Sequence, residues 1–299
     1  MKTARQLFCL LTLSAATSAF AGTAVEGKAP KKEEDKNSLW LFSAETTFTG
    51  RSGFGDVRFG RGDSVHEDYS IDRRFSISGN WYLRLGGEYE RFDFGGTRNG
   101  LPNHLQAIYG HLAYEYIVKD HAAAGIEIDP GVYFQNHVSS DAFDIPWKIW
   151  LTFPLRKDKV YGVIGAGGSL YQDPVVAPGG GIIWLINDKW RLEGVAPKPA
   201  LVYSPTENWE LRALGEIVYE SFRTDTVQNR FIGLRLQNAV VQYSEYRAGV
   251  QASYSGWKPF EILVGGGWSF DRTFDFYRAK QKMSAEGAPY LKVGISAKF

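Results

Sequence analysis

The sequence predicts an all-β protein, a single transmembrane antiparallel up-and-down β-barrel of about fourteen strands, with twelve strands as the alternative. Long segments alternate apolar and polar residues with a period of two, which is the pattern of a strand with two different faces. Short polar turns alternate with longer connections along the chain. The chain ends on an alternating segment, so its last strand is placed to close the sheet against its first.

The final segment, residues 289–299, has the length and alternation of one membrane-crossing strand. At about 3.3 Å per residue, about ten tilted residues cross an apolar layer about 25 Å tall. Lys292 and Lys298 fall on one face, where we expect each to pair with a carboxylate of a neighbouring strand. The opposite face is apolar and carries Leu291, Val293, Ile295, Ala297 and Phe299.

Composition excludes several classes of function. The chain has 299 residues and a formal net charge of +1, and its charged residues are interspersed, so nothing indicates a nucleic-acid partner. Aromatic residues make up 15% of the chain, with 33 Gly and only 2 Met, which favours strands, turns and interface anchoring over helical packing. The single cysteine, Cys9, lies in a segment that we expect to be removed.

Residues 1–21 match a secretory signal peptide. Lys2 and Arg5 form its positive start, and an apolar stretch covers residues 7–16. Ala19-Phe20-Ala21 is a small-x-small cleavage site, so cleavage is expected after the second alanine.

Two further regions complete the predicted organisation. Residues 22–38 are small or charged and predict a disordered periplasmic linker. Residues 39–299 are predicted to form the barrel. No other apolar run in the chain reaches the eighteen or so residues that a transmembrane helix requires.

Each of the following segments is predicted as one strand: residues 39–48, 66–78, 81–90, 105–118, 121–134, 147–153, 160–171, 179–186, 189–194, 201–203, 209–222, 240–255, 260–276 and 289–299. Short turns join them in pairs at residues 79–80, 119–120, 156–159, 187–188, 205–208 and 256–258. The longer connections lie at about residues 50–63, 95–104, 135–144, 172–177, 223–237 and 279–288, with another near 195–200. Short turns on one rim and long loops on the other are typical of a transmembrane barrel. If the two short segments at 189–203 do not cross the membrane, the count falls to twelve.

A soluble β-sandwich would alternate in the same way, but it hides its apolar face from water. Three features favour a membrane instead: strands longer than those of a soluble sheet, a terminal strand that leaves no exposed edge, and aromatic residues near strand ends. These aromatic residues are Trp81, Tyr82, Tyr114, Tyr116, Trp209, Tyr219, Trp257, Trp268 and Phe299.

The polar faces of the predicted strands carry charged residues that would line the lumen. In the strand at 260–276, Glu261, Ser269 and Asp271 oppose apolar residues such as Val264 and Trp268. Carboxylates outnumber cations, so an open pore is expected to favour cations and small polar solutes mildly. The alternative is a wall cross-linked by ion pairs, without a conducting path. The lumen-facing candidates are Arg84, Glu88, Glu90, Glu115, Glu127, Asp129, Glu210, Arg212, Glu216, Glu220, Glu245, Arg247, Glu261 and Lys292.

The signal peptide, the hairpin rhythm and the terminal pattern of Tyr290, Val293, Ile295, Ala297 and Phe299 resemble outer-membrane β-barrel proteins of Gram-negative bacteria. The assembly machinery of that family recognises a last strand ending in Phe. The resemblance therefore implies escort by periplasmic chaperones, insertion by the barrel-assembly complex, and outer-membrane lipids as surroundings. The middle of the chain is similar to barrels known only as a family of unknown function, so no activity carries over.

The first functional hypothesis is a porin-like passive channel for ions or small polar solutes. The alternative is a non-conducting structural or surface-interaction barrel that presents residues 50–63 and 224–238 to the exterior. An outer-membrane lipid hydrolase is a remote alternative, because residues 137–141 contain His, Ser and Asp. Adjacency on one loop does not create the geometry of a triad, so no catalytic residue is predicted. No metal or other cofactor is predicted, because His111 near Glu115 lacks a second histidine at ligand spacing.

Overall fold

The computed structural model describes residues 38–54, 60–98, 101–118, 121–229 and 234–299. The predicted signal peptide and all but the last residue of the predicted linker lie outside these ranges, as does the predicted turn at 119–120. Helices within the described ranges are too short or too polar to span a bilayer.

Fourteen strands form one closed antiparallel barrel, as the sequence predicts. Each strand pairs with the next, and the last pairs with the first along Leu41–Thr49, which leaves no open sheet edge. The strands are β1 (Ser38–Gly53), β2 (Arg61–Ser78), β3 (Trp81–Phe94), β4 (His104–Val118), β5 (His121–Ile128 and Gly131–Phe134), β6 (Phe143–Asp144 and Trp147–Arg156), β7 (Val160–Gly168), β8 (Val176–Leu185), β9 (Trp190–Val195), β10 (Ala200–Tyr203), β11 (Trp209–Arg223), β12 (Val240–Tyr254), β13 (Phe260–Phe276) and β14 (Ala288–Lys298).

The two rims of the barrel differ, and we call them the short-turn end and the long-loop end. Both chain ends of the barrel and the tight hairpins lie at the short-turn end. One of these hairpins joins β2 to β3 through Gly79 and Asn80, where Gly79 has a φ of 57°. Glycine adopts this backbone conformation without a steric penalty, so the predicted hairpin signal matches the observed turn.

The two faces of the wall have opposite chemistry. Outward side chains are apolar and exposed, as for Ile108 at 52% and Leu112 at 41%, whereas the inward Glu115 on the same strand is 0% exposed. A soluble protein shows the reverse arrangement, so the outer face is built for lipid. Other exposed apolar side chains are Phe42, Phe48, Ile71, Leu85, Ile126, Ile149, Leu151, Ile164, Ile182, Leu211, Val250, Val264, Phe270, Leu291, Val293 and Ile295.

An aromatic girdle surrounds the short-turn end. Trp81 stacks on Tyr114 with ring centroids 4.8 Å apart, and Trp190 stacks on Tyr203 at 4.5 Å. Amphipathic rings of this kind favour the boundary between apolar chains and polar headgroups. Further pairs at this end are Trp209 with Tyr254 and Phe260 with Phe299.

The short strands β9 and β10 belong to the wall, which settles the strand count at fourteen. They are short because Pro197 and Pro199 lack the backbone N–H that would continue the ladder. Their carbonyl oxygens still accept hydrogen bonds from the N–H groups of Ile217 and Gly215, at 3.0 and 2.8 Å. The connection therefore continues the wall along β11 where regular pairing stops.

Some predicted boundaries differ from the structure. The loop predicted at residues 50–63 is shorter, because β1 continues to Gly53 and β2 begins at Arg61. The outer segment predicted at 224–238 contains a small hairpin of its own, formed by Val227–Asn229 and Leu234–Leu236.

The inward position predicted for Asp271 is wrong. The register between β12 and β13 shifts between Glu245 and Arg247, which inserts one extra residue on β13. An extra residue reverses the alternation beyond it. As a result Asp271 is exposed, and Arg272 is buried with 1% exposure.

The barrel is pinched at its long-loop end. Phe134 of β5 and Arg223 of β11 form one parallel backbone bridge, although these strands lie on nearly opposite sides of the ring. A backbone bridge requires the two walls to come within hydrogen-bonding distance. The cross-section is therefore narrowed at this rim.

Candidate functional site

Inward side chains of the described residues fill much of the lumen. The buried members of the predicted lumen set are Arg84, Glu90, Glu115, Glu127, Asp129, Glu216, Glu245 and Arg247. The partly buried members are Glu88, Glu210, Arg212, Glu220, Glu261 and Lys292. A wide water-filled pore would leave such side chains exposed, so their burial shows that the wall's own side chains occupy this part of the lumen.

Arg84 is the centre of the largest group of charges. Its guanidinium contacts Glu115 at 3.2 Å, Asp72 at 3.5 Å, and Glu127. Lys148 of β6 reaches the same Glu127 at 2.8 Å. One cation therefore forms ion pairs with carboxylates of β2, β4 and β5, and these contacts link the three strands on the lumen side. We call the group the Arg84 network: Asp72, Arg74, Arg84, Glu88, His111, Glu115, Glu127, Asp129 and Lys148.

His111 lies inside this network with both ring nitrogens next to carboxylates. Nδ1 is 2.9 Å from an oxygen of Asp72, and Nε2 is 3.2 Å from an oxygen of Glu88. The hydroxyl of Tyr109 donates a hydrogen bond to Glu88. The ring is held in one orientation as a result.

A second group of charges connects strands that are not neighbours. Lys292 of β14 lies 2.8 Å from Glu45 on the adjacent β1, as expected for this lysine, and 3.4 Å from Glu216 on β11. The contact with Glu216 passes over β12 and β13, so it spans a chord of the lumen. We call this group the Glu216 network: Glu45, Lys198, Glu216, Glu245, Arg247 and Lys292.

A third group is a closed ring of four alternating charges. Arg191 contacts Glu193 at 2.6 Å and Glu210 at 2.8 Å. Arg212 contacts the same two carboxylates, at 3.1 and 2.6 Å. Each charge in this ring faces two of the opposite sign, which satisfies it without a solute.

Above the charges, at the long-loop end, an apolar group crosses the lumen. Phe92 of β3 lies 5.9 Å from Phe222 of β11 and 5.0 Å from Tyr243 of β12, measured between ring centroids. Phe94 lies 4.8 Å from Phe274 of β13. We call the group the aromatic cluster: Phe54, Phe92, Phe94, Leu101, Leu105, Tyr133, Val218, Phe222, Val241, Tyr243, Phe274 and Phe276.

Sequence reasoning did not predict the aromatic cluster. Its signal was present, because Phe92 and Phe94 continue the alternation of Glu88 and Glu90 and therefore share their face. The apolar character of these residues suggested no lumen role, although the period of two placed them inside.

The remaining predicted residues have simple placements. Val293, Ile295 and Phe299 point outward and are exposed, whereas Ala297 is buried and Tyr290 is an inward residue 7% exposed. Their role as an assembly signal stays a prediction.

The loop at residues 137–141, which contains His, Ser and Asp, has no triad geometry among the described residues. His137 is largely exposed and contacts Asp225 at 3.2 Å. Ser139 precedes the short helix Ser140–Ala142 and has no hydrogen bond with His137 in the described part of the chain.

Comparison with known proteins yields fold likeness only. No family model matches the chain, and no curated protein matches it. Among solved structures, the COG4313 outer membrane channel from Pseudomonas putida F1 has 8% identity, with 90% of this chain and 100% of that chain covered and a TM-score of 0.46. The translocator domain of the autotransporter NalP from Neisseria meningitidis has 11% identity, coverage of 100% and 97%, and a TM-score of 0.41. The Pseudomonas putida toluene transporter TodX has 10% identity, coverage of 89% and 90%, and a TM-score of 0.38. No substrate or activity is transferred from them.

Proposed function

We propose that this protein is an outer-membrane channel for ions or small polar solutes whose lumen is closed at rest by the aromatic cluster. The observation that carries the proposal is the layered lumen, in which charged side chains on every side lead up to an apolar constriction between Phe92 and Phe222. Apolar constrictions close pores by excluding water, while charges beneath them select ions.

The number of strands supports a channel over a simple anchor. An eight-stranded barrel is already filled by its own side chains, and larger barrels enclose free space. This wall has fourteen strands, and its lumen is filled because the walls approach each other at Phe134 and Arg223 and because large rings meet there. Truncation of these rings would widen the constriction while the strand pairing of the wall stays intact.

The proposed location is the outer membrane of a Gram-negative bacterium, with the short-turn end in the periplasm. The exposed apolar outer face and the aromatic girdle support a bilayer setting. Cleavage after Ala21 and insertion by the barrel-assembly machinery with periplasmic chaperones are part of this proposal.

The test is single-channel recording of the refolded protein in planar bilayers. We expect rare openings or none in the wild type, and a steady, mildly cation-selective conductance in the Phe92→Ala/Phe222→Ala variant. The matched control is Phe270→Ala, which removes a ring that is 50% exposed on the outer face and leaves the closed state unchanged. If the folded double variant carries no current, the channel proposal is refuted.

The second candidate is the non-conducting structural or surface-interaction barrel. The burial of Glu115, Glu127 and Glu245 at 0–2% exposure favours it, because each carboxylate is paired with an arginine of the wall and not with a solute. This candidate predicts silence in the wild type and in the double variant, together with loss of partner capture when the outer hairpin at 227–236 is deleted.

A further inference from the structure

We propose that the lumen holds a divalent metal ion at His111, Glu127 and Asp129, where β4 and β5 meet. Three ligand-type atoms, one from each residue, lie within 4.8 Å of one another, and all three residues are buried. Metal bonds of about 2.0–2.2 Å place ligand atoms about 3–4 Å apart, so small side-chain rotations bring the three to bonding distance.

The orientation of His111 supports this site. Asp72 lies 2.9 Å from Nδ1, and a ring proton held there would leave the Nε2 lone pair for a metal. A carboxylate on the far nitrogen of a histidine is the usual partner of a metal-binding ring, since it fixes the tautomer. Nε2 also faces Glu88 at 3.2 Å, so a metal ion bound at Nε2 would have this carboxylate as a fourth ligand.

Asp129 supplies the independent observation. Its side chain is only 9% exposed, and its Oδ1 accepts no hydrogen bond from any described residue. A buried carboxyl oxygen without a hydrogen-bond partner is costly, because it has lost its water without a replacement. A metal ion next to His111 and Glu127 supplies the missing partner.

The charges of the Arg84 network agree with a bound cation. Five carboxylates, Asp72, Glu88, Glu115, Glu127 and Asp129, lie in the same network as three permanent cations, Arg74, Arg84 and Lys148. This excess of carboxyl groups attracts a cation into the enclosed lumen.

The donor set identifies the class of metal. One imidazole nitrogen with carboxylate oxygens suits Zn²⁺ or Mn²⁺, whereas Ca²⁺ and Mg²⁺ prefer oxygen alone. Zn²⁺ binds such sites more tightly than Mn²⁺, so we assign Zn²⁺. The ion would join β4 to β5 next to Pro130, where the strand is interrupted and the N–H of Gly110 bonds the proline carbonyl at 2.9 Å.

The test is titration of the refolded full-length barrel in detergent with Co²⁺, followed by displacement with Zn²⁺. We expect one equivalent of Co²⁺ with visible d–d absorption that Zn²⁺ abolishes. Asp129→Asn and His111→Gln are expected to lose stoichiometric binding, and Asp72→Asn to weaken it about 10–100-fold. Glu193→Gln, in the four-charge ring of the same lumen, is the matched control and keeps one equivalent.

Two outcomes overturn the proposal. One is a folded wild-type barrel that binds neither metal, which would mean that a proton on His111 bridges Asp72 and Glu88 instead. The other is binding that is unchanged in both ligand variants, which would place the metal elsewhere. The wild-type titration decides the first question even if a variant does not fold.

Discussion

The two halves of the lumen are closed by different chemistry. Near the short-turn end and the middle, charged side chains are held by direct contacts, as between Arg84 and Glu115 at 3.2 Å. At the long-loop end, rings such as Phe92 and Phe222 meet without directional bonds. Ion pairs require specific geometry, whereas ring contacts depend on area and shape. The charged half therefore holds the strands of the wall in a fixed arrangement. The aromatic half is the part of the lumen whose packing can rearrange.

The largest expected effect comes from removing the centre of the charged half. Arg84→Met leaves Glu115 and Glu127 buried beside one cation fewer, and an uncompensated buried charge costs about 3–5 kcal/mol. The measurement is equilibrium unfolding by urea in lipid vesicles. Arg212→Met is the matched control, because that side chain is 30% exposed and water compensates part of the loss. Equal losses of unfolding free energy in the two variants would show that burial does not determine how much each network contributes to stability.

In the aromatic half, Phe222→Ala is expected to destabilise the barrel by about 3 kcal/mol, the usual result of truncating a fully buried ring. Its effect differs in kind from that of Arg84→Met, because the space left behind lies at the constriction and admits water. The same urea titration measures the free energy of unfolding. Quenching of tryptophan fluorescence by a polar quencher measures how far water-soluble molecules enter the lumen. A loss of stability without new access would mean that the cluster packs the wall and does not gate the lumen.

The contrast between the halves also explains what the sequence could predict. Strand number, closure and the two faces follow from a period of two that residues such as Leu112 and Glu115 obey over long segments. The bulge on β13 between Ser269 and Arg272 was not predictable, because no residue marks it and one inserted position exchanges Asp271 for Arg272 on the inner face.

The long-range contacts of the site could not be predicted from the sequence. The contact between Lys292 and Glu216 depends on how the ring of strands is flattened, which no local pattern encodes. The same holds for the bridge between Phe134 and Arg223. Phe92 was predictable as inward from its register, but its packing against Phe222 was not.

The outer face gives an intermediate effect that separates lipid contact from lumen packing. Leu112→Arg places a charge near the middle of β4 on the exposed face, where lipid-facing arginine costs about 2–4 kcal/mol. We expect a loss of about 2 kcal/mol in the vesicle assay. Leu112→Met, the control of similar volume, is expected to change little. A tolerated arginine would mean that this face does not meet the hydrocarbon.

The smallest effect on stability is expected from an ion pair on the outer face of the barrel. Arg91 contacts Asp93 with good geometry, at 2.7 Å, yet the two side chains are 32% and 41% exposed. Exposed pairs of this kind contribute less than about 1 kcal/mol, because water or headgroups replace the lost partner. Arg91→Met should therefore leave the urea midpoint almost unchanged, although it removes the same chemical group as Arg84→Met. A large loss of stability in Arg91→Met would show that ion pairing stabilises this barrel wherever it occurs. A small loss would show that ion pairs stabilise it through their burial in the charged half of the lumen.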